Sequence, residues 1–374
     1  MISNEKYSIQ VVVSNGSDEI DVTDGRMLKA LEMNEVVGGD IPLGTMELSI
    51  FNEEYIWVLN ENNVVTITVE SNDSDNKWKR VYYLTVISVL FPNKGQSEID
   101  AVVTMCGDYL SFFRNPHTRI FKDHNSITSI WKIMVLNGIA LMTDIRGADD
   151  KQNWVQTSEP DAEFVGSIVK SMNLGDTFPM YALTLEGSAL LYSYSYLKSM
   201  ESIPVGNGLS HIPFVSVDNP HQETVITNTK YGYGLSWSQF DADKYESTNL
   251  SMYSSPSWGI TTKGIQVRDL DISPKQLGMK VITGNHHKDY YVSMARNIIN
   301  TGISDSFRVK VYVKNYVNAF SLLNKVRLFV PSSSDNTKES KVLGGDYLVL
   351  QKRMRLVDQE ILIELTLGRQ SINF

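Results

Sequence analysis

The sequence has a single cysteine, Cys106, among 374 residues, so no disulfide can form within the chain. That count fits a reducing compartment such as the cytoplasm. Set in the run VVTMCGDYL, Cys106 reads as a small buried residue and not as a reactive thiol. A basic excess is also lacking: 34 Lys and Arg stand against 43 Asp and Glu, a formal net charge of −9. Proteins that grip nucleic acid by neutralising phosphates usually carry the opposite balance, though nucleic acid could still pass near this chain without being held. No apolar run approaches the roughly 20 residues that span a bilayer. The N-terminal MISNEKYSIQ has no basic region followed by an apolar core, so no secretory signal is expected.

Signatures of chemistry are equally scarce. The chain has no Walker A, HExxH or G-x-S-x-G pattern, and Gly206–Gly208 and Gly232–Gly234 are isolated G-x-G pairs in polar surroundings. Asp73 and Asp75 imitate the start of a calcium loop, but Trp78 stands where glycine is needed, which leaves a solvated hairpin turn. His286 and His287 are adjacent; on a strand they would face opposite ways, so a loop is the better reading than a metal site. Glu159, Asp161 and Glu163 invite a glycosidase-like carboxylate pair. Their place in a first helical turn explains them more simply, by capping and the helix dipole. Asn249-Leu250-Ser251 is a glycosylation sequon, which means little without a secretory signal. No catalytic residue, cofactor or metal ligand is assigned.

What the chain does have is alternation. It is rich in Tyr (18), Asn, Ser and Thr, a composition that leans toward β structure, and its length calls for two or three domains. Tyr7–Val13 reads as a strand closed by Ser14-Asn15-Gly16. Met27–Met33 suggests a helical turn broken at Val36–Gly39, and Met46–Phe51 another strand. In Val64–Glu70, Val65, Ile67 and Val69 alternate with Thr66, Thr68 and Glu70; Trp78–Leu90 returns antiparallel, and Ile99–Met105 completes a curved sheet or barrel over 1–116.

Residues 117–201 read as an α+β module. A helix capped within Asp123–Ser126 runs to about Asn137, with Ile127, Ile130, Trp131 and Met134 on one side and Gly138 ending it. A second begins in NWVQTSEPDAEFVGSIVKSMN: Ser158 caps it, Pro160 suits its first turn, and Gly175 is the stop. Phe164, Val165, Ile168, Val169 and Met172 share its inward stripe. A hairpin follows, Met180–Leu185 and Ala189–Tyr196.

The remainder, 202–374, opens with a poorly patterned connection to Asn285. A helix capped by Asp289 runs through Ile299. Phe307–Lys314, Lys325–Val330, Tyr347–Lys352 and Glu360–Leu367 then supply the strands of a second barrel or sandwich.

Gln156, Glu159, Asp161 and Phe164 form the pattern Q-x-x-E-x-D-x-x-F, with Trp154 just before it. This resembles the signature of phage tail hub proteins: late control gene D proteins, baseplate central hubs of contractile tails, and the head part of VgrG spikes. Ser126-Ile127-Thr128-Ser129-Ile130 and Gly345-Asp346-Tyr347-Leu348-Val349 are similar to other stretches of the same family. Pro160, where the family often has a small polar residue, and the Leu322–Lys325 turn, which lacks the usual glycine, depart from it.

The resemblance implies a mainly β, overall α+β chain: two tube-type β barrels with an intervening α+β module. It implies a homotrimer whose six barrels adapt a sixfold tail tube protein to a threefold spike protein, with DNA passing through the lumen unbound. The setting would be the virion, after assembly in the host cytoplasm, with no membrane insertion and no enzymatic role. The rival reading rests on aromatics. Tyr192, Tyr194 and Tyr196 on one strand face, with Tyr231–Trp258, could bind a host glycan or receptor; packing beneath the helices is the simpler account. A tail-associated hydrolase ranks third. Phe164→Asp, which places a charge on the inward stripe, is expected to abolish soluble folding. The soluble fraction on expression checks this, and a folded, assembly-competent variant would show that another face points inward.

Overall fold

The computed structural model describes residues 2–3, 7–23, 26–72, 77–92, 99–208, 210–222, 235–242, 244–252, 275–283, 285–304, 307–332, 338–357 and 360–369. The first part contributes β1 (Ile2–Ser3), β2 (Tyr7–Ser14), β3 (Glu19–Asp21), β4 (Leu28–Val36), β5 (Leu43–Ile50), β6 (Val64–Ser71), β7 (Lys79–Leu90) and β8 (Ile99–Gly107). Next come α1 (Leu110–Arg114), β9 (Pro116–His124), α2 (Ser126–Leu136), β10 (Ala140–Thr143), β11 (Gln152–Pro160), α3 (Asp161–Ser171), β12 (Pro179–Leu183), β13 (Ser188–Ser193) and α4 (Tyr194–Ser199). The last part holds β14 (Ile203–Val205), β15 (Ser216–Gln222), β16 (Leu235–Asp241), β17 (Glu246–Met252), β18 (Lys275–Ile282), α5 (Tyr290–Ser304), β19 (Phe307–Lys314), β20 (Lys325–Leu328), β21 (Gly345–Val357) and β22 (Glu360–Arg369).

Period-two alternation builds the sheet. Tyr7, Ile9, Val11 and Val13 of β2 are buried, as are Val65, Ile67 and Val69 of β6, Phe307, Val309, Val311 and Val313 of β19, and Ile361, Ile363, Leu365 and Leu367 of β22. Fourteen of the described strands belong to one sheet, in the order β1-β2-β6-β7-β8-β5-β4-β21-β22-β19-β15, with β3 beside β2 and with β20 joining β14 to β21. The two strand-rich parts, expected as separate barrels, are therefore continuous. The junction is the antiparallel pairing of β4 with β21, from Val36 opposite Gln351 to Leu31 opposite Leu356. One apolar core runs beneath both parts.

Met27–Met33, read from its helix-forming residues as a helical turn, is instead the start of β4. Partners on both sides, β5 and β21, supply backbone hydrogen bonds that override local propensity, and Leu31 and Met33 point into the core. Beyond β4 the chain turns at Gly38 and Gly39, with φ of +125° and +84°. A Cβ on Gly39 would lie 2.7 Å from Cε1 of Tyr181, so the turn packs directly on β12.

The strip of the sheet at β2 is covered: β1 and β3 pair with it, the Val22 amide donates to the Val11 carbonyl, and the Thr23 hydroxyl accepts from the Val11 amide. At the other end, β15 breaks register between Asp218 and His221, around Pro220.

A second core belongs to the α+β module, built on Tyr109, Phe112, Ile130, Ile133, Phe164 and Ile168. Asn125 caps α2 by accepting from the Thr128 amide. The expected strand Ala189–Tyr196 stops at Ser193, which caps α4 by accepting from the Tyr196 amide, so the three tyrosines do not form a ladder. In the region read as a connection, β16 pairs with β17 antiparallel and with β18 in parallel.

Across the junction, the ammonium of Lys352 lies 4.0 Å from a carboxylate oxygen of Glu35, and the two residues are 4% and 7% exposed. Burial holds the Lys352 pKa below its ordinary value, and Glu35 opposes that shift. Lys352→Ala, which strands the Glu35 carboxylate, is expected to cost about 3–5 kcal/mol in urea unfolding. The double variant Glu35→Gln, Lys352→Met should recover most of the loss. A single variant as stable as the parent would mean that water reaches the pair.

Candidate functional site

The residues of the Q-x-x-E-x-D-x-x-F pattern meet where β11 passes into α3. β9 and β11 form a two-stranded ribbon with a register shift between Thr157 and Glu159. Ser158 sits in that bulge at φ +52°. It does not cap α3. Pro160, two residues further on, occupies the cap position and has no side-chain group to accept a hydrogen bond. The inward face of the ribbon carries Arg119, Phe121, Trp154 and Gln156; Ile120 and Val155 face outward.

Gln156 is fully buried and acts as a bracket. Its amide nitrogen donates to the Glu159 carbonyl at 2.9 Å and to Oδ1 of Asp161 at 2.8 Å. Asp161, 1% exposed, also accepts from the guanidinium of Arg119 and from Nδ2 of Asn137 at 2.7 Å. Nε2 of His117 stands 3.9 Å away. The expected explanation for Asp161, the dipole of α3, is thus incomplete. Its carboxylate is satisfied by side chains from β9, β11 and the end of α2, which is how a buried charge is tolerated. Phe164 stacks on Phe121 with centroids 6.1 Å apart, and the Trp154 indole donates to the His124 carbonyl at 3.0 Å. Glu159 is half-buried, and burial raises its pKa.

Sequence reasoning missed three residues here. Arg119 and Asn137 lie 42 and 24 residues from the carboxylate that they serve, a distance no local pattern reveals. Asp150, 1% exposed, accepts from the Ser126 amide at the start of α2 and from the Asn173 amide beyond α3. Gly175 does not end α3, which stops at Ser171. The carbonyls of Lys170 and Met172 are taken instead by Nδ2 of Asn297, from α5.

The chemistry available is that of a rigid junction. Asp161 is consumed by its partners, and among the described residues no group of three His, Cys, Asp or Glu could hold a metal. A cavity of about 570 Å³ lies between α3, α5 and β12, lined largely by Gly38, Gly166, Val169, Tyr181, Ile298 and Gly302, with Glu163 and Lys170 as its charged residues. Cys106 is buried, and burial pushes its thiol up to about 11, away from reactivity. Of the aromatic group, Tyr194 stacks on buried Phe178 at 4.5 Å and packs against the core, while Tyr192 stacks on exposed Tyr196 at 5.5 Å. Residues 231–234, 243 and 253–258 of the aromatic stretch fall outside the described residues, as do Asp73 and Asp75.

No family model matches the chain, and no curated protein matches it. Its fold does match solved structures. The 43 kDa tail protein of prophage MuSo2 from Shewanella oneidensis superposes with a TM-score of 0.60 at 10% identity, covering 97% of this chain and 99% of that one. A tail protein from Neisseria meningitidis MC58 gives 0.59 at 9% identity, covering 98% of both. The c3393 protein of E. coli, a type VI secretion component similar in structure to the T4 tail proteins gp27 and gp5, gives 0.55 at 8%, covering 97% of this chain and 78% of that one. The resemblance read from Gln156–Phe164 is thus matched by a phage tail fold along nearly the whole chain.

Arg119→Met removes the charge that balances buried Asp161, and is expected to destabilise the protein by about 3 kcal/mol in urea unfolding at neutral pH. A variant with unchanged stability would show that Gln156 and Asn137 suffice.

Proposed function

We propose that this chain is the central baseplate hub of a contractile phage tail or a related injection machine. Three copies would form a ring in which each chain supplies two tube-type β units, adapting the sixfold tail tube to the threefold spike around a channel for DNA. The observation that carries this reading is the tail-protein fold shared end to end: 97–98% of this chain and 98–99% of two phage or bacterial tail proteins superpose. The role is architectural. It is supported by a candidate site whose carboxylate is fully engaged in holding β9, β11, α2 and α3 together. An acidic chain suits a conduit that DNA slides through, and several basic side chains of the last part are paired: Lys310 with Glu364, Lys314 with Glu360, and Arg353 and Arg355 with Glu32. Tail tube and spike proteins are the partners, and the virion is the setting.

Light scattering over a range of concentrations tests the reading. A species of three chain masses that images as a ring with a central hole is expected. A chain that stays monomeric even with its tube and spike proteins present would overturn it, as would a lumen with a strongly basic wall.

A further inference from the structure

We propose that the turn entering α5 is an acid-sensitive latch, which His286 and His287 hold closed only as neutral imidazoles. Nδ1 of His286 accepts from the Thr283 amide at 3.3 Å and lies 3.2 Å from the Thr283 hydroxyl. Nδ1 of His287 accepts from the Asp289 amide at 3.3 Å. A ring that accepts at Nδ1 carries its proton on Nε2. A second proton, at Nδ1, converts the acceptor into a donor facing an N–H, so each protonation breaks one bond of the turn.

The surroundings give these rings little room to be charged. His287 is 8% exposed, its Nε2 is buried with no partner in hydrogen-bonding geometry, and its own amide donates to Oε1 of Gln152 on β11 at 2.7 Å. Facing it are Asp149 and Asp150 from the segment before β11, Asp289 from its own turn, and the Ser171 carbonyl at the end of α3. His286 packs on the rings of Tyr290 and Tyr291, at 4.6 and 6.1 Å. Lys288, between the latch and α5, is exposed. Burial lowers both histidine pKa values despite the nearby carboxylates, and each charged ring would repel the other. Both folded-state values lie below the ordinary one. The latch therefore contributes fully above about pH 6.5 and is lost as pH falls through the depressed values.

What the latch controls is the grip of α5 on the module. Asn297 holds the last carbonyls of α3, Arg296 donates to the Gly175 carbonyl, and α5 ends just before β19. Acid thus loosens the module from the helix that leads into the closing strands while leaving the sheet intact.

Hydrogen exchange on the full chain at about pH 7.5 and about pH 5, on either side of the histidine range, tests this. After correction for intrinsic rates, α5 amides should exchange several-fold faster in acid, while β21 and β22 stay protected. His286→Asn with His287→Asn keeps a neutral acceptor and should abolish the difference. Equal acid opening in that variant, or none in the parent, overturns the latch. Should the variant fail to fold, ¹⁵N spectra of the parent decide: neutral rings protonated at Nε2 at pH 7.5 are expected, and an Nδ1–H tautomer overturns the proposal.

Discussion

The architecture depends on one strand pairing between segments more than 300 residues apart, β4 with β21. Each of the two strand-rich parts has its own hairpins, such as β6 with β7 and β21 with β22, and the buried apolar residues of both parts belong to one core. The pairing of β4 with β21 makes one sheet and one core from two, and the entropy of joining distant segments is offset by the apolar surface covered. The pair Glu35 and Lys352 lies on this junction, so correct register is enforced by a charge that has nowhere else to go.

The α+β module is seated on the same place. Glu35 not only pairs with Lys352 across the junction but also accepts from the Leu185 amide, after β12, at 2.8 Å. The Gly38 amide donates to the Tyr181 carbonyl, and Arg80 pairs with Glu186 at 2.9 Å. A single buried carboxylate thereby reads the position of three segments: the first strands, the hairpin of the module, and the last strands. The Gln156–Asp161 bracket plays the corresponding part inside the module, where one carboxylate fixes two strands and two helices.

Much of this was legible in the sequence, for physical reasons. Period-two alternation in Val64–Glu70, Phe307–Lys314 and Glu360–Leu367 announces a buried face, because one face of a sheet must be apolar. The helices α2 and α3 were legible from their apolar stripes and, for α2, from Asn125. Non-local satisfaction was not legible. Met27–Met33 has the residues of a helix but two strand neighbours, and Asp161 looked like a helix-end carboxylate because Arg119 and Asn137 are invisible at short range. Ser158 was misread as a cap because it sits in a bulge of the ribbon, and α3 starts two residues later than the local pattern suggests. Tyr194 and Tyr196 continued an alternation that Ser193 ends by capping α4. For Met27–Met33 and Asp161, a strand or side chain far along the chain decided the outcome; for Tyr194 and Tyr196 a local cap did.

The ends of the large sheet have a consequence for assembly. At one end β2 is covered by β1, β3, Val22 and Thr23; at the other β15 carries Pro220, which has no amide proton to give. Among the described residues, neither end presents a long unbroken row of free backbone groups to a second sheet. If copies join as the proposed ring requires, side chains and not strand edges would join them, and the timing of assembly would be open to tuning by single substitutions.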